Sequence, residues 1–427
     1  MRLAGKFISI LVFVSWGVAF GQVETTGAPA ETQDEKKLDW SGNLDVKYTL
    51  FHMDQSSALY KLQFLKERPS SSLLSQYRLE PYLNADYRTK DIGFHLKTHA
   101  TYYNDADMRF DLFEAYGSYN PSFNTTLQAG KRTYNWGKGY AFNPVGFVNP
   151  VKDAENPELA QAGLLSANVE YIKSLSSEAL QSFALTFAVI PSSEIPNSRY
   201  GEFKKTDLAL KTYFLLWDTD IDLMTYYSKN ETKRYGLDFA RNVRENFEIH
   251  GELGLNMDAP RYTIFNDSIN IRRADKFSYL FGVRYLNAFN ITLIAEYYHN
   301  GLGLKRHEYK QYIDFLQKSA DNSSFLAAQQ ALSISQTYFR TGTLMLDYLY
   351  VKLTYPEPFD WLYFTPSLYT IYNLSDKSYL LSLQVNYKPV TNVEFIFWPS
   401  ILVGGGQTEY GDKQMKERVE LWMRVYY

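Results

Sequence analysis

The chain has 427 residues with 44 Lys and Arg against 47 Asp and Glu, a formal charge of −3 that supplies no basic field for nucleic acid. It has no Cys, which excludes disulfides, thiolate metal sites, a thiol nucleophile and haem attachment through Cys-x-x-Cys-His. Aromatics make up 17% of the residues at a mean hydropathy of −0.34; no internal run of about 18 apolar residues offers a membrane helix, and 45% hydrophobic content argues against disorder.

At the start of the chain Arg2 and Lys6 precede an apolar run from Phe7 to Phe20 and a small-x-small site at Ala19-Phe20-Gly21. That order predicts a signal peptide over 1–21 and a mature terminus at Gln22. An N-terminal anchor helix is the other reading, but the run is shorter than the ~20 residues a spanning helix needs. Residues 22–37 are polar and aperiodic and read as a flexible periplasmic leader.

From residue 38 to the end the dominant period is two, as in strands with chemically different faces. In Tyr77 to Arg88, Tyr77, Leu79, Leu83, Ala85 and Tyr87 alternate with Arg78, Glu80, Asn84, Asp86 and Arg88. Glu245 to Met257 and Lys416 to Tyr427 repeat the pattern. Many of these segments are ten residues or longer, which suits transmembrane strands of ~9–11 residues better than the usual soluble strand. Candidate strands fall near 42–52, 75–88, 91–104, 108–119, 124–136, 164–172, 181–190, 206–217, 220–229, 233–242, 245–257, 276–288, 290–300, 340–355, 361–373, 377–388, 391–403 and 415–427. Short links such as Thr89-Lys90 and Asp218-Thr219 recur at every second connection, with long ones mostly between them at 53–74, 137–163, 191–205, 258–275, 301–339 and 404–414. This rhythm predicts one all-β domain over 38–427, a transmembrane antiparallel up-and-down β-barrel of about eighteen strands with short periplasmic turns and long outer loops.

The apolar parity then faces lipid, and Tyr285, Phe289, Tyr297, Tyr298, Tyr348, Tyr350, Tyr426 and Tyr427 are expected as interfacial girdles near strand ends. The polar parity faces a lumen. It collects Arg78, Glu80, Lys97, Arg132, Lys211, Glu248, His250, Glu252, Arg284, Glu296, Arg418 and Arg424 as candidate pore-lining residues. Such charges either hydrate and cross-link the wall or form opposed ladders that orient a solute. Parity breaks at Asp111 and Glu114, which calls for a bulge there. The same alternation predicts that Leu255→Arg impairs assembly while Glu252→Arg leaves folding largely intact and alters ion selectivity.

Between 113 and 163 an acidic-aromatic strand (Phe113-Glu114-Ala115-Tyr116) and a Gly-basic strand (Gly130-Lys131-Arg132) lead to Trp136-Gly137-Lys138-Gly139, Asn143-Pro144 and Asn149-Pro150. The segment resembles the corresponding part of porin-like and alginate-exporter-like outer-membrane barrels over about fifty residues. By that resemblance 137–163 would fold inward as a constriction loop, with Trp136, Lys138, Tyr140, Asn143, Pro144, Lys152, Asp153 and Glu155 at the constriction. Packing on the outer rim is the alternative. Where such relatives place Gln after the basic residue this chain has Arg132 and Thr133, which leaves the substrate open.

The connection 301–339 has helical spacing at Tyr309, Tyr312, Ile313, Phe315 and Leu316 and again from Phe325 to Leu332, a lid over the mouth or a packed loop. The final segment, ending on Tyr427, is similar to the C-terminal signal by which Gram-negative outer-membrane barrels are recognised by their assembly machinery. Six His residues stand outside any His-Glu-x-x-His, Gly-x-Ser-x-Gly or phosphate-loop motif, so no enzyme, cofactor or metal is expected. The sequence thus points to an outer-membrane porin or channel giving passive passage to hydrophilic solutes, charged ones among them, or to polysaccharide. Its partners would be outer-membrane lipid, the barrel-assembly machinery and the solute. The alternative is a barrel scaffold for surface polysaccharide, or a sheath for a partner cytochrome.

Overall fold

A computed structural model describes residues 37–103, 108–149, 152–158, 162–191, 206–228, 232–322, 324–339 and 342–427. The expected signal peptide over 1–21 and residues 22–36 of the expected leader lie outside them, and Lys37 already belongs to a strand. The strands are β1 (Lys37–Met53), β2 (Leu73–Arg88), β3 (Ile92–Tyr103), β4 (Met108–Ser122), β5 (Thr125–Arg132) and β6 (Leu164–Ser174). They continue as β7 (Leu180–Ile190), β8 (Asp207–Leu216), β9 (Thr219–Tyr227), β10 (Lys233–Arg244), β11 (Phe247–Phe265) and β12 (Ser268–Leu286). The last are β13 (Thr292–His299), β14 (Asp347–Thr354), β15 (Phe364–Asn373), β16 (Tyr379–Val390), β17 (Val393–Val403) and β18 (Met415–Tyr426). Three helices join them: α1 (Ala58–Gln63), α2 (Arg306–Asp321) and α3 (Phe325–Tyr338).

Each strand pairs antiparallel with its sequence neighbours, and β1 pairs with both β2 and β18, so the eighteen-stranded sheet closes on itself. Closure removes both sheet edges and satisfies every ladder, which a strand-built membrane span requires. The seam shows why alternation survives around the circumference. Val46 stands opposite Leu79 and Met423 on one face, and Lys47 opposite Arg78 and Trp422 on the other. Trp40, Tyr77, Phe94, Phe281, Phe395 and Leu421 are exposed on the outer face, whereas Asp45, Lys47, Glu80, Glu252, Glu296 and Glu420 are buried inside. A closed barrel with an apolar exterior and a charged interior is a transmembrane barrel. The parity break is met by a bulge: Lys97 pairs with Glu114 and Thr98 with Leu112, leaving Phe113 extra.

Two expectations are overturned. Residues 258–275 are no open loop; β11 and β12 run on as a hairpin closed by Asn266 and Asp267, both at positive φ (50° and 57°), as a two-residue turn between twisted strands requires. Beyond the membrane neither face has to meet lipid, so alternation lapses while the ladder continues. The second correction concerns the girdle. Tyr298, Tyr348 and Tyr350 share the inward face of β13 and β14 with Glu296 and Lys352, and Tyr348 and Tyr350 are completely buried; Tyr285 and Phe289 are exposed on the outside.

Candidate functional site

The connection from β5 to β6 leaves the wall at Thr133 and crosses the interior to the opposite side. Its docking is carried by two carboxylates. Glu252 of β11 accepts the backbone N–H groups of Lys138 at 2.6 Å, Gly139 at 2.5 Å and Val145 at 3.3 Å. Glu296 of β13 accepts those of Ala141 at 2.8 Å and of Tyr140, and lies 3.0 Å from His250 Nε2. Successive N–H groups converging on a carboxylate form a charge-assisted seat, stronger than neutral hydrogen bonds.

The sequence prepares both sides of that seat. Gly137 has φ of +96°, and a Cβ there would lie 2.2 Å from Asn143 Oδ1 and 2.7 Å from Glu252 Oε1. On the wall, a Cβ at Gly254 would lie 2.6 Å from the Pro144 carbonyl oxygen, so only glycine lets the segment approach. The segment is braced internally by Asn143 and Asn149, whose amides both donate to the Trp136 carbonyl. Phe142 stacks on Tyr298 with ring centroids 4.6 Å apart. Lys138 Nζ reaches Asp222 at 3.1 Å, a carboxylate shared with Lys211 at 3.2 Å. Lys152 donates to the carbonyls of Gly139 and Tyr140; burial draws its ammonium below the usual lysine range, although Glu252 and Glu296 oppose the shift.

Beyond the seat the segment contacts β14 and β18. Tyr140 Oη donates to Glu158 at 2.7 Å and accepts from Lys352 at 2.5 Å, while Glu155 pairs with Arg418 at 3.1 Å. Asp153 accepts the Glu155 N–H at 3.0 Å. A cavity of about 430 Å³ lies between residues 153–156 and the wall of β1–β4, β17 and β18. Another of about 780 Å³ opens between residues 135–140 and the end of the barrel that carries the short turns.

The wall around the smaller cavity is a ladder of alternating charge. Arg424 grips both oxygens of Asp45 at 2.7 and 2.8 Å. Lys47 bonds Glu80 at 2.6 Å, Arg78 lies 3.4 Å from both Glu80 and Glu420, and Arg418 lies 3.0 Å from Glu420. The remaining candidate pore-lining residues sit on the same inward parity but apart from this ladder. Lys97 faces Glu114 across β3 and β4, and Arg132 bonds Asn168 Oδ1 at 3.1 Å with its guanidinium 4.7 Å from the Tyr134 ring. Glu248 stands opposite Arg284 and 3.4 Å from His250.

Hydropathy reasoning misses one group altogether. Tyr350, Tyr369, Trp398 and Trp422 form an inward aromatic rib with centroid spacings of 6.0, 6.5 and 5.7 Å, and Lys47 Nζ sits 3.8 Å over Trp422. The available signal is parity, since Trp422 lies between Glu420 and Arg424 and Trp398 lies four residues after Glu394. Among the described residues no group of three or more His, Asp or Glu side chains is arranged to hold a metal ion.

No protein-family model matches the sequence, and no curated protein matches it. Solved structures match in fold. Pseudomonas aeruginosa OccK2 (OpdF) in complex with glucuronate aligns at a TM-score of 0.53 and 10% identity over 91% of this chain and 97% of its own. A BenF-like porin from Pseudomonas fluorescens Pf-5 gives 0.52 and 8% over 91% and 98%, and Acinetobacter baumannii OccAB1 gives 0.52 and 10% over 92% and 99%. At such identities the likeness is one of fold, the eighteen-stranded fold of Gram-negative outer-membrane porins. It lends no support to a polysaccharide scaffold or exporter.

Proposed function

We propose that this chain is an outer-membrane porin through which small hydrophilic solutes pass down their gradients, with residues 133–158 as its constriction. The observation that carries the reading is the seat on Glu252 and Glu296. It fixes a polar segment inside a closed barrel and leaves a charged cavity against the opposite wall. A positioned obstruction with polar walls is what selects solutes by width and field. The pore-lining assignment extends to Arg78, Glu80 and Arg418 at the narrow cavity, with Arg424 on the same wall outside it, and to Glu248, His250 and Arg284 in the larger one. On this reading the short turns face the periplasm and the helices face outward. The terminal alternation ending at Tyr427 serves recognition by the barrel-assembly machinery, and the residues carry no catalytic step.

The test is electrical. Purified, refolded protein whose barrel is verified by heat-modifiable migration should give stable conductance steps in planar bilayers. A folded barrel that stays silent over long recordings sinks the proposal.

A further inference from the structure

We propose that the channel favours small neutral and zwitterionic solutes, and cations over anions, because the cations of its narrow cavity are already taken by the protein's own carboxylates. The inference rests on the porin reading and adds a selectivity to it. The cavity carries four cations, Lys47, Arg78, Arg109 and Arg418, against five carboxylates, Glu80, Asp111, Asp153, Glu155 and Glu420. Three of the four cations are doubly engaged. Lys47 is held by Glu80 at 2.6 Å and Asp45 at 3.5 Å, Arg78 by Glu80 and Glu420 at 3.4 Å each, and Arg418 by Glu420 at 3.0 Å and Glu155 at 3.1 Å. Arg109, at the rim near the long loops, is the exception among the described residues. Among the described residues no carboxylate stands within ion-pair distance of it, and its guanidinium lies 5.8 Å from the Tyr103 ring.

An entering carboxylate must therefore compete with Glu155 or Glu420 for Arg418. Both are tethered beside it, so their effective concentration exceeds that of any dissolved competitor. The surplus carboxylate sets the sign of the local field against anions and for cations. A zwitterion can pair with both members of an ion pair at once, and an uncharged polyol can hydrogen-bond to a pair without breaking it or opposing the field. In the larger cavity Lys352 lies 3.5 Å from Glu158 and Lys138 lies 3.1 Å from Asp222, whereas among the described residues Lys152 and Arg284 have no carboxylate within ion-pair distance, so the inference rests on the narrow cavity.

The experiment combines reversal potentials under a KCl gradient at pH 7 with liposome swelling, using glucose, glutamine and glucuronate as probes of comparable bulk and different charge. The wild type should give a K⁺/Cl⁻ permeability ratio above one and admit glucose and glutamine several-fold faster than glucuronate. The double variant D153N/E155Q, with its barrel checked by heat-modifiable migration, releases one partner of Arg418. It should lower the ratio to one or below and speed glucuronate. A conducting wild-type channel that prefers chloride, or admits glucuronate ahead of glucose, overturns the inference while leaving the porin reading intact. So does a double variant with unchanged selectivity. A barrel that never conducts removes the porin reading itself.

Discussion

Glu252 and Glu296 are positioning residues, and what they position is backbone. Five N–H groups of the crossing segment end on these two carboxylates, which are buried in the wall. Hydrogen bonds to a charged acceptor are each worth about 1.5–3 kcal/mol net, so neutralising both acceptors should loosen the segment by several kcal/mol without touching the lipid-facing residues. The double variant E252Q/E296Q is expected to assemble as a barrel and to show larger, noisier conductance than the wild type. Recordings that match the wild type would separate the two carboxylates from the constriction. The same geometry revises the expectation for Glu252→Arg. The change places a cation where three N–H donors converge, so it should displace the segment as well as alter selectivity.

Among the elements, β11 joins the two environments. Leu255 lies opposite Tyr235 and Phe277 on the outer face, one residue beyond the inward Gly254–Gly236 step and its Pro144 contact. Leu255→Arg puts a guanidinium against lipid at a cost of about 2–4 kcal/mol near the midplane. Its yield of heat-modifiable barrel should fall well below that of E252Q/E296Q, and equal yields would refute the inside and outside faces of this strand. A different element, the connection 404–414, is tied to α2 through the half-buried Asp412. Asp412 accepts the Gln407 N–H at 3.1 Å and the Tyr309 hydroxyl at 3.4 Å. Burial pushes its carboxyl up to about 6, against the pull of those two hydrogen bonds, and burial also raises that of Glu409. A group whose pKa rises on docking binds more protons docked than free, so this connection is most firmly held below about pH 4 and loosens as pH climbs through about 6. Hydrogen exchange over 404–414, corrected for intrinsic rates, should be slower at pH 5 than at pH 7.5, and Asp412→Asn should weaken that dependence.

At the scale of the whole molecule, much of the lumen is packed. Ala58 and Leu62 of α1, Tyr312 and Leu316 of α2 and Ala331 of α3 belong to the same hydrophobic cluster as Ala141 and Phe142 of the crossing segment and the inward residues Tyr348, Tyr350 and Tyr369. The helices and the segment are therefore parts of one packed body that reaches the wall from β11 to β18, with Val145, Phe147 and Val148 packed on β6–β9, and the narrow cavity lies against β1–β4, β17 and β18. This explains the aromatic content more fully than girdles do. Part of it meets lipid, and part of it builds an interior core that an unobstructed pore would not need.

Much of this architecture is written locally. The lipid-facing and lumen-facing requirements act on every second residue, so strand number, strand face and the bulge near Glu114 follow from a period-two pattern that sequence displays directly. The helical spacing after Gly301 is local as well and corresponds to α2 and α3. The site is different. Glu252 meets residues 107 to 114 positions away and Glu296 residues 155 and 156 positions away. Nothing in the neighbourhood of either carboxylate marks it off from Glu80 or Glu420. Nor does parity alone say whether an inward tyrosine lines water or packs under a helix. The sequence by itself determined a barrel and the alternation of its two faces. Closure and register decided which inward groups become partners, because only they bring distant segments within hydrogen-bonding reach.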